Sequence, residues 1–121
     1  MIYFDGTWQQ ACDAAQDQGG HLVTITSEKE QETVEALLAQ YPGLRAVWTG
    51  ARRDGQGAFY WITGEDFGFS FWGPGEPNNE TGDEKFMDLY PRDGRWVWND
   101  VPMSISRYYA GSMGYILEKD L

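Results

Sequence analysis

One cysteine, Cys12, stands in 121 residues, so no intramolecular disulfide is available and packing alone must hold the fold. Basic residues are scarce as well. Nine Lys and Arg face 19 Asp and Glu, which gives a formal net charge of −10 and a pI of about 4.3. A surface of that sign repels phosphate backbones and anionic headgroups, which argues against nucleic acid and charged membrane surfaces as partners. There is one histidine, His21. It leaves no second imidazole for a metal site and no Ser/His or Cys/His pair for nucleophilic chemistry. No run of roughly 18 apolar residues occurs, so no helical membrane insertion is expected. Met1-Ile2-Tyr3-Phe4-Asp5 meets an acid at once and lacks the basic start of a signal peptide.

What is abundant points the other way. Aromatic residues make up 16% of the chain and glycines number 15. That combination suits a loop-rich fold containing β-strands rather than a helix bundle. The length matches a single domain over 1–121, and it reads as one module of a larger protein.

In chain order, residues 1–4 read as a short strand. Thr7 and Gln10 form a capping box, followed by one apolar helical face of Trp8, Ala11, Cys12 and Ala15. Gly19-Gly20 ends that helix, and His21 to Ile25 reads as a strand. Ser27 and Glu30 make a second capping box for a helix running to about Gln40, with Val34, Leu37 and Leu38 inward and Pro42-Gly43 as the stop. Strands are expected at Ala46 to Gly50 and Phe59 to Ile62, separated by a turn from Arg52 to Gly57. Phe86 to Leu89 and Arg95 to Trp98 should form a hairpin around Pro91-Arg92-Asp93-Gly94. Gly114 to Glu118 is the closing strand, and Val101 to Met113 has no clear pattern. The stretch from Thr63 to Glu84 is a long loop, a length that is usually functional. Within it, Phe67, Phe69, Phe71 and Trp72 read as a small second core, and Glu65-Asp66 as either an ion ligand or a solvated turn.

The chain is organised around Glu76 to Asp100. This stretch opens with Gly75-Glu76-Pro77-Asn78-Asn79 and closes with Trp98-Asn99-Asp100. Glu76, Asn78, Glu84, Asn99 and Asp100 supply carboxylate and amide oxygens and no soft ligand. Hard cations prefer such donors, and Ca²⁺ accepts about 6–8 of them in flexible geometry, whereas Mg²⁺ demands a tight octahedron.

Glu-Pro-Asn followed by Trp-Asn-Asp, with an acid eight positions after the Glu at Glu84, resembles the signature of carbohydrate-binding C-type lectin domains. Trp8 to Ala11, Gly20-His21-Leu22 and Trp48-Thr49-Gly50 resemble that family's upstream landmarks, so the likeness covers nearly the whole chain. It implies an α+β fold, with two helices flanking small antiparallel sheets and a long calcium-binding loop region. It implies that Glu76, Asn78, Glu84, Asn99 and Asp100 ligate one Ca²⁺ to which two neighbouring sugar hydroxyls bind. It also implies a cis bond before Pro77 in the calcium form. Glu-Pro-Asn goes with fucose- or mannose-type hydroxyls rather than galactose, and Asn79 and Glu80 are the candidates for tuning within that class. The family's auxiliary calcium site should be absent, because Lys85 and Arg53 stand where it has acids.

The family's paired cysteines map onto Ala15 with Leu117 and onto Phe86 with Met103, so hydrophobic contacts are expected in their place. Acidic, disulfide-free and calcium-dependent together suit a bacterial surface adhesin or a secreted lectin, extracellular or at the cell surface. The alternative is a calcium-stabilised module that binds protein or ice. An enzyme is the weakest reading, since carboxylates that hold Ca²⁺ are not free to shuttle protons.

Overall fold

Two capped helices frame the protein. The computed structural model describes residues 1–119. Helix α1 (Trp8–Asp17) starts where Thr7 accepts the Gln10 N–H and Gln10 returns an acceptor to the Thr7 N–H. Its apolar face is Trp8, Ala11, Cys12 and Ala15, all buried as the periodicity requires. Helix α2 (Glu28–Leu38) is capped by Ser27, which accepts the Glu30 N–H. The second half of the expected capping box is absent. Glu30 turns back one residue further, to the Thr26 N–H and hydroxyl, and so braces the chain entering the helix. Val34 and Leu38 are buried as expected, and Leu37 is half-buried.

The main sheet is ordered β1-β7-β3-β5-β6, with β4 added to β3. Its members are β1 (Ile2–Tyr3), β3 (Ala46–Arg53), β4 (Phe59–Trp61), β5 (Phe86–Arg92), β6 (Arg95–Val101) and β7 (Met113–Tyr115). The pairings are antiparallel except for β3 with β7. A second, two-stranded sheet joins β2 (His21–Leu22) to β8 (Leu117–Glu118). A short third helix, α3 (Ser106–Tyr109), sits in the stretch for which the sequence shows no pattern.

Several boundaries differ from the sequence reading. The strand expected from His21 to Ile25 pairs only at His21–Leu22, and the closing strand divides at Ile116 to serve two sheets. Strand β3 runs on through Arg52 and Arg53, where a turn was expected. The hairpin turn is two residues, Asp93 and Gly94, both with positive φ; Pro91 and Arg92 belong to the ladder and pair with Trp96 and Arg95. Positive φ at both central residues matches the right-handed twist of the flanking strands.

Strand β3 carries an irregularity that matters for the site. Between the Trp48–Asp88 and Arg52–Phe86 pairs, four steps on β3 face two on β5. The slack is taken up by Thr49, whose hydroxyl donates to the Met87 carbonyl, and by Gly50, where an added Cβ would lie 2.9 Å from the Leu22 carbonyl oxygen. The shift delivers Arg53 to the Lys85 carbonyl, which accepts its backbone N–H at 2.7 Å.

The core has two halves. On the α1 side, Trp8, Trp48, Phe86, Val101, Ile105, Met113 and Tyr115 pack together, with the Trp8 and Phe86 rings stacked at 4.7 Å. On the other side, Ile25, Leu38, Val47, Trp61, Met87, Leu89 and Trp98 form the second half. Of the positions expected to replace disulfides, Ala15 and Phe86 are buried and Leu117 packs against the first half. Met103 does not fit that expectation. The residue is 48% exposed, and its backbone carbonyl accepts the Trp8 N–H.

Candidate functional site

The long loop is fastened to the outer edge of β6. Trp98 donates its N–H to the Phe71 carbonyl and accepts the Gly73 N–H, both at 2.9 Å, so residues 71–73 run beside β6 like a short extra strand. Phe67, Phe69 and Trp72 surround the Trp98 indole with centroids at 5.8, 5.8 and 5.7 Å. With Phe71 they are half-buried and pack onto the second half of the main core, where a separate small core was expected. A Cβ at Gly73 would lie 2.8 Å from the Tyr90 hydroxyl, so a side chain there would have to push Tyr90 aside.

Glu76 follows one tight turn later, its N–H donating to the Gly73 carbonyl, and the Glu76–Pro77 peptide is cis. Asn78 and Asn79 then aim consecutive backbone N–H groups at the Asp100 carboxylate, at 3.2 and 2.7 Å. These bonds join Glu-Pro-Asn to Trp-Asn-Asp across more than twenty residues of sequence. Asn79 holds a left-handed backbone (φ 48°), which Asn tolerates better than most residues. Its side-chain oxygen accepts the Glu84 N–H at 3.0 Å. Glu80 donates its N–H to both the Asn78 amide oxygen and the Glu84 carboxylate. Asn79 and Glu80, the tuning candidates, thus also brace the loop.

Asp100 and Glu84 are buried, Glu76 and Asn99 half-buried, and Asn78 exposed. The carboxylates feel one another. Burial, then the charges of Asp100, Glu84 and Glu80, holds Glu76 above its ordinary range, and burial with Asp100 does the same to Glu84. Asn99 is less well placed. It pairs with Asp88 in a regular stretch of ladder, and successive strand residues point to opposite faces. Among the described residues, no hydrogen bond joins its amide to the network around Asp100.

Three features of the neighbourhood were not foreseen. Arg53, expected only to exclude an auxiliary ion, reaches into the main site and pairs with Asp100 at 2.7 Å. Gln31, fully buried, donates to the Trp96 carbonyl at 2.7 Å and accepts the Trp98 indole N–H at 2.9 Å. Asp88 is buried opposite Asn99, its Oδ1 lacking a hydrogen-bond partner among the described residues. Burial, followed by the charges of Glu76, Glu84 and Asp100, drives its carboxyl well above the usual carboxylate range. An acid inside the apolar run Phe86-Met87-Asp88-Leu89 is the sequence signal that marks it. Glu65 is tied to the hydroxyls of Thr24 and Thr63, and so acts as a loop brace.

Among the described residues, no three His, Cys, Asp or Glu side chains close tightly enough to hold a metal as they stand. Arg53 and two backbone N–H groups draw on the Asp100 oxygens. The donor chemistry nevertheless fits a hard cation: the groups are all oxygen, and three carboxylates face a single positive charge.

A family model described as "Lectin C-type domain" matches residues 5–110, and the chain belongs to that family. Over 95 residues it is 38% identical to the low affinity immunoglobulin epsilon Fc receptor of Mus musculus, covering 78% of this chain and 27% of that protein. Over 113 residues it is 30% identical to salivary C-type lectin 2 of Aedes albopictus, covering 86% of this chain and 75% of that one. The chain therefore spans from about a quarter to three quarters of the length of these relatives. Among solved structures, the C-type lectin domain of murine dendritic cell inhibitory receptor 2, in complex with an N-glycan, superimposes with a TM-score of 0.75 at 27% identity, covering 87% of this chain and 81% of that one. The α+β, C-type lectin-like architecture is thereby shown.

Proposed function

We propose that this domain is a calcium-dependent lectin module that binds fucose- or mannose-type sugars through Glu76, Asn78, Glu84, Asn99 and Asp100. The observation that carries this reading is the pair of N–H bonds from Asn78 and Asn79 to Asp100, which bring the two motifs to one place. Bound Ca²⁺ supplies a Lewis-acid centre for two vicinal hydroxyls of a sugar. The chain's own groups then select the sugar. Asn78 has its amide oxygen fixed by the Glu80 N–H, which leaves its NH₂ free to donate to a hydroxyl oxygen. Glu76 and Glu84 accept hydrogen bonds from the hydroxyls. Asn99 completes the expected set from the opposite face of β6, and among the five it is the residue the geometry supports least.

The fold neighbour bound to an N-glycan supports a glycan partner. A shallow single site of this kind binds weakly, at about millimolar Kd or −4 kcal/mol. Adhesion then needs several copies acting at high effective concentration. An extracellular or cell-surface location, as of a bacterial adhesin or a secreted lectin, follows from that role.

A glycan array with and without chelator tests this. Binding to fucose- or mannose-bearing glycans that vanishes with chelator is expected. Glycan binding that ignores the chelator, or a preference for galactose, would sink the reading. The relative named as an immunoglobulin receptor favours one second reading, a protein-binding module. In that case calcium raises the melting temperature while no glycan binds.

A further inference from the structure

We propose that Arg53 is a tethered rival of the metal: its guanidinium holds Asp100 in the calcium-free protein, keeps the loop ordered, and lowers the affinity for Ca²⁺. This inference rests on the calcium reading of the site.

The guanidinium is fixed at three points. Its Nε donates to the Glu84 carbonyl at 3.2 Å, one Nη to the Gly57 carbonyl at 2.9 Å, and the other Nη to Asp100 Oδ2 at 2.7 Å. It also lies 4.6 Å from the centroid of the Phe59 ring, which packs on Trp72 in the loop. Arg53 therefore touches two residues of the ligand set, the Glu84 backbone and the Asp100 side chain. The Asp100 side chain is fully enclosed, and its two oxygens also receive the Asn78 and Asn79 N–H groups.

An exposed arginine would swing away when a metal arrives. This one is only 15% exposed and anchored, so it stays. A divalent ion entering beside it must share one carboxylate with a positive charge a few ångströms away. Repulsion of that kind in a partly buried site changes an affinity by at least about tenfold. The shifted register of β3 puts Arg53 there, so the rivalry belongs to the fold of this chain and not to a mobile surface group.

The readouts are Ca²⁺ affinity by isothermal titration calorimetry and the melting midpoint in chelator, for the unaltered protein, Arg53→Gln and Arg53→Lys. Arg53→Gln is expected to bind Ca²⁺ about tenfold more tightly and to melt several degrees lower in chelator, with calcium restoring the midpoint. Arg53→Lys keeps the charge and should bind Ca²⁺ within about threefold of the unaltered protein. A merely structural arginine predicts the opposite sign, because loosening the loop weakens calcium. Unchanged or weaker binding by Arg53→Gln, with the other proteins binding normally, overturns the rivalry but leaves the calcium site standing. If Arg53→Gln does not fold, Arg53→Met, which keeps an unbranched stem over Phe59, takes its place with the same expectation. Failure of both to fold even in calcium makes Arg53 structural and overturns the proposal. Absence of binding heat in all the proteins overturns the calcium reading and this inference together.

Discussion

Gln31 and Trp98 form a fully buried amide–indole pair, with the Trp98 indole N–H donating to Gln31 at 2.9 Å. The same amide donates onward to the Trp96 carbonyl. Helix α2 is thereby pinned to the strand that carries Asn99 and Asp100, one residue upstream of them. Trp98 is in turn the post around which the loop aromatics pack. A single polar side chain thus connects helix, sheet and ligand loop.

Truncating Gln31 leaves a buried indole N–H and a partly buried carbonyl without partners. Each such group costs about 1–3 kcal/mol, and the lost side-chain volume adds to that. Gln31→Ala is therefore expected to lose about 3–5 kcal/mol of stability. Thermal melts in calcium check this, and a drop of only a degree or two would show that water or a neighbour replaces the amide.

Much of this was legible in the sequence, for identifiable reasons. Helix α1 was readable because its cap and its 3.6-residue apolar face agree. The loop was readable as functional because its length and its oxygen donors are both unusual. Gln31 was hidden because a polar residue on an amphipathic helix ordinarily faces water, and only the tertiary partner explains its burial. The extension of β3 was hidden because Arg52-Arg53-Asp54-Gly55 looks like turn composition. The register shift and the Asp100 partner override that local preference. Asn99 and Asp100 look equivalent as ligands in sequence, yet strand alternation separates them in space.

Asp100 is the most sensitive position of the site. Removing it leaves the largely enclosed Arg53 charge without its carboxylate partner and frees two backbone N–H groups. Breaking a buried pair from one side costs about 3–5 kcal/mol, whereas removing both partners is far milder. Asp100→Ala should therefore lower stability by about that amount and abolish calcium binding. The double change Arg53→Met with Asp100→Ala should regain part of the lost stability without regaining calcium. Denaturant midpoints of the two single variants and the double variant decide this. Simple additivity would show that the pair is not coupled.

Asp88 gives a pH signature. Its carboxyl is held well above the ordinary range by burial, so the folded chain keeps this proton more tightly than the unfolded one. The resulting stabilisation is complete below the ordinary carboxylate value of about 3.9 and is lost as pH rises through the raised folded value. Stability in chelator should thus fall as pH rises above the ordinary carboxylate range. Asp88→Asn removes the Asp88 part of that slope, leaving the parts of the same sign from Glu76 and Glu84, and should be the more stable protein at neutral pH once its Nδ2 finds an acceptor. The difference in melting midpoint between the two proteins, followed as pH rises from the ordinary carboxylate range, is the measurement. A difference that does not widen with pH contradicts the assignment. Glu35 acts in a separate window. Burial pushes it up, but bonds from Arg95 and the Trp96 N–H more than offset this, so its contribution is lost only as pH falls below the ordinary range.

The choice of sugar should reside in the residues flanking Pro77. Glu76→Gln with Asn78→Asp exchanges a carboxylate for an amide on one side and the reverse on the other, so the total charge of the site is unchanged. Asp at 78 still offers an oxygen to the Glu80 N–H, the bond that fixes this side chain. The loop should therefore hold, with a melting midpoint close to that of the unaltered protein and with calcium still bound. What changes is the order of donors and acceptors presented to the two hydroxyls: the amide N–H moves from position 78 to 76, and the carboxylate from 76 to 78. A sugar whose vicinal hydroxyls match the first order is mismatched to the second. The glycan array should accordingly shift from fucose- and mannose-bearing structures toward galactose. If calcium binds and the array profile stays the same, specificity lies outside this pair, with Asn79 and Glu80 the next positions to exchange.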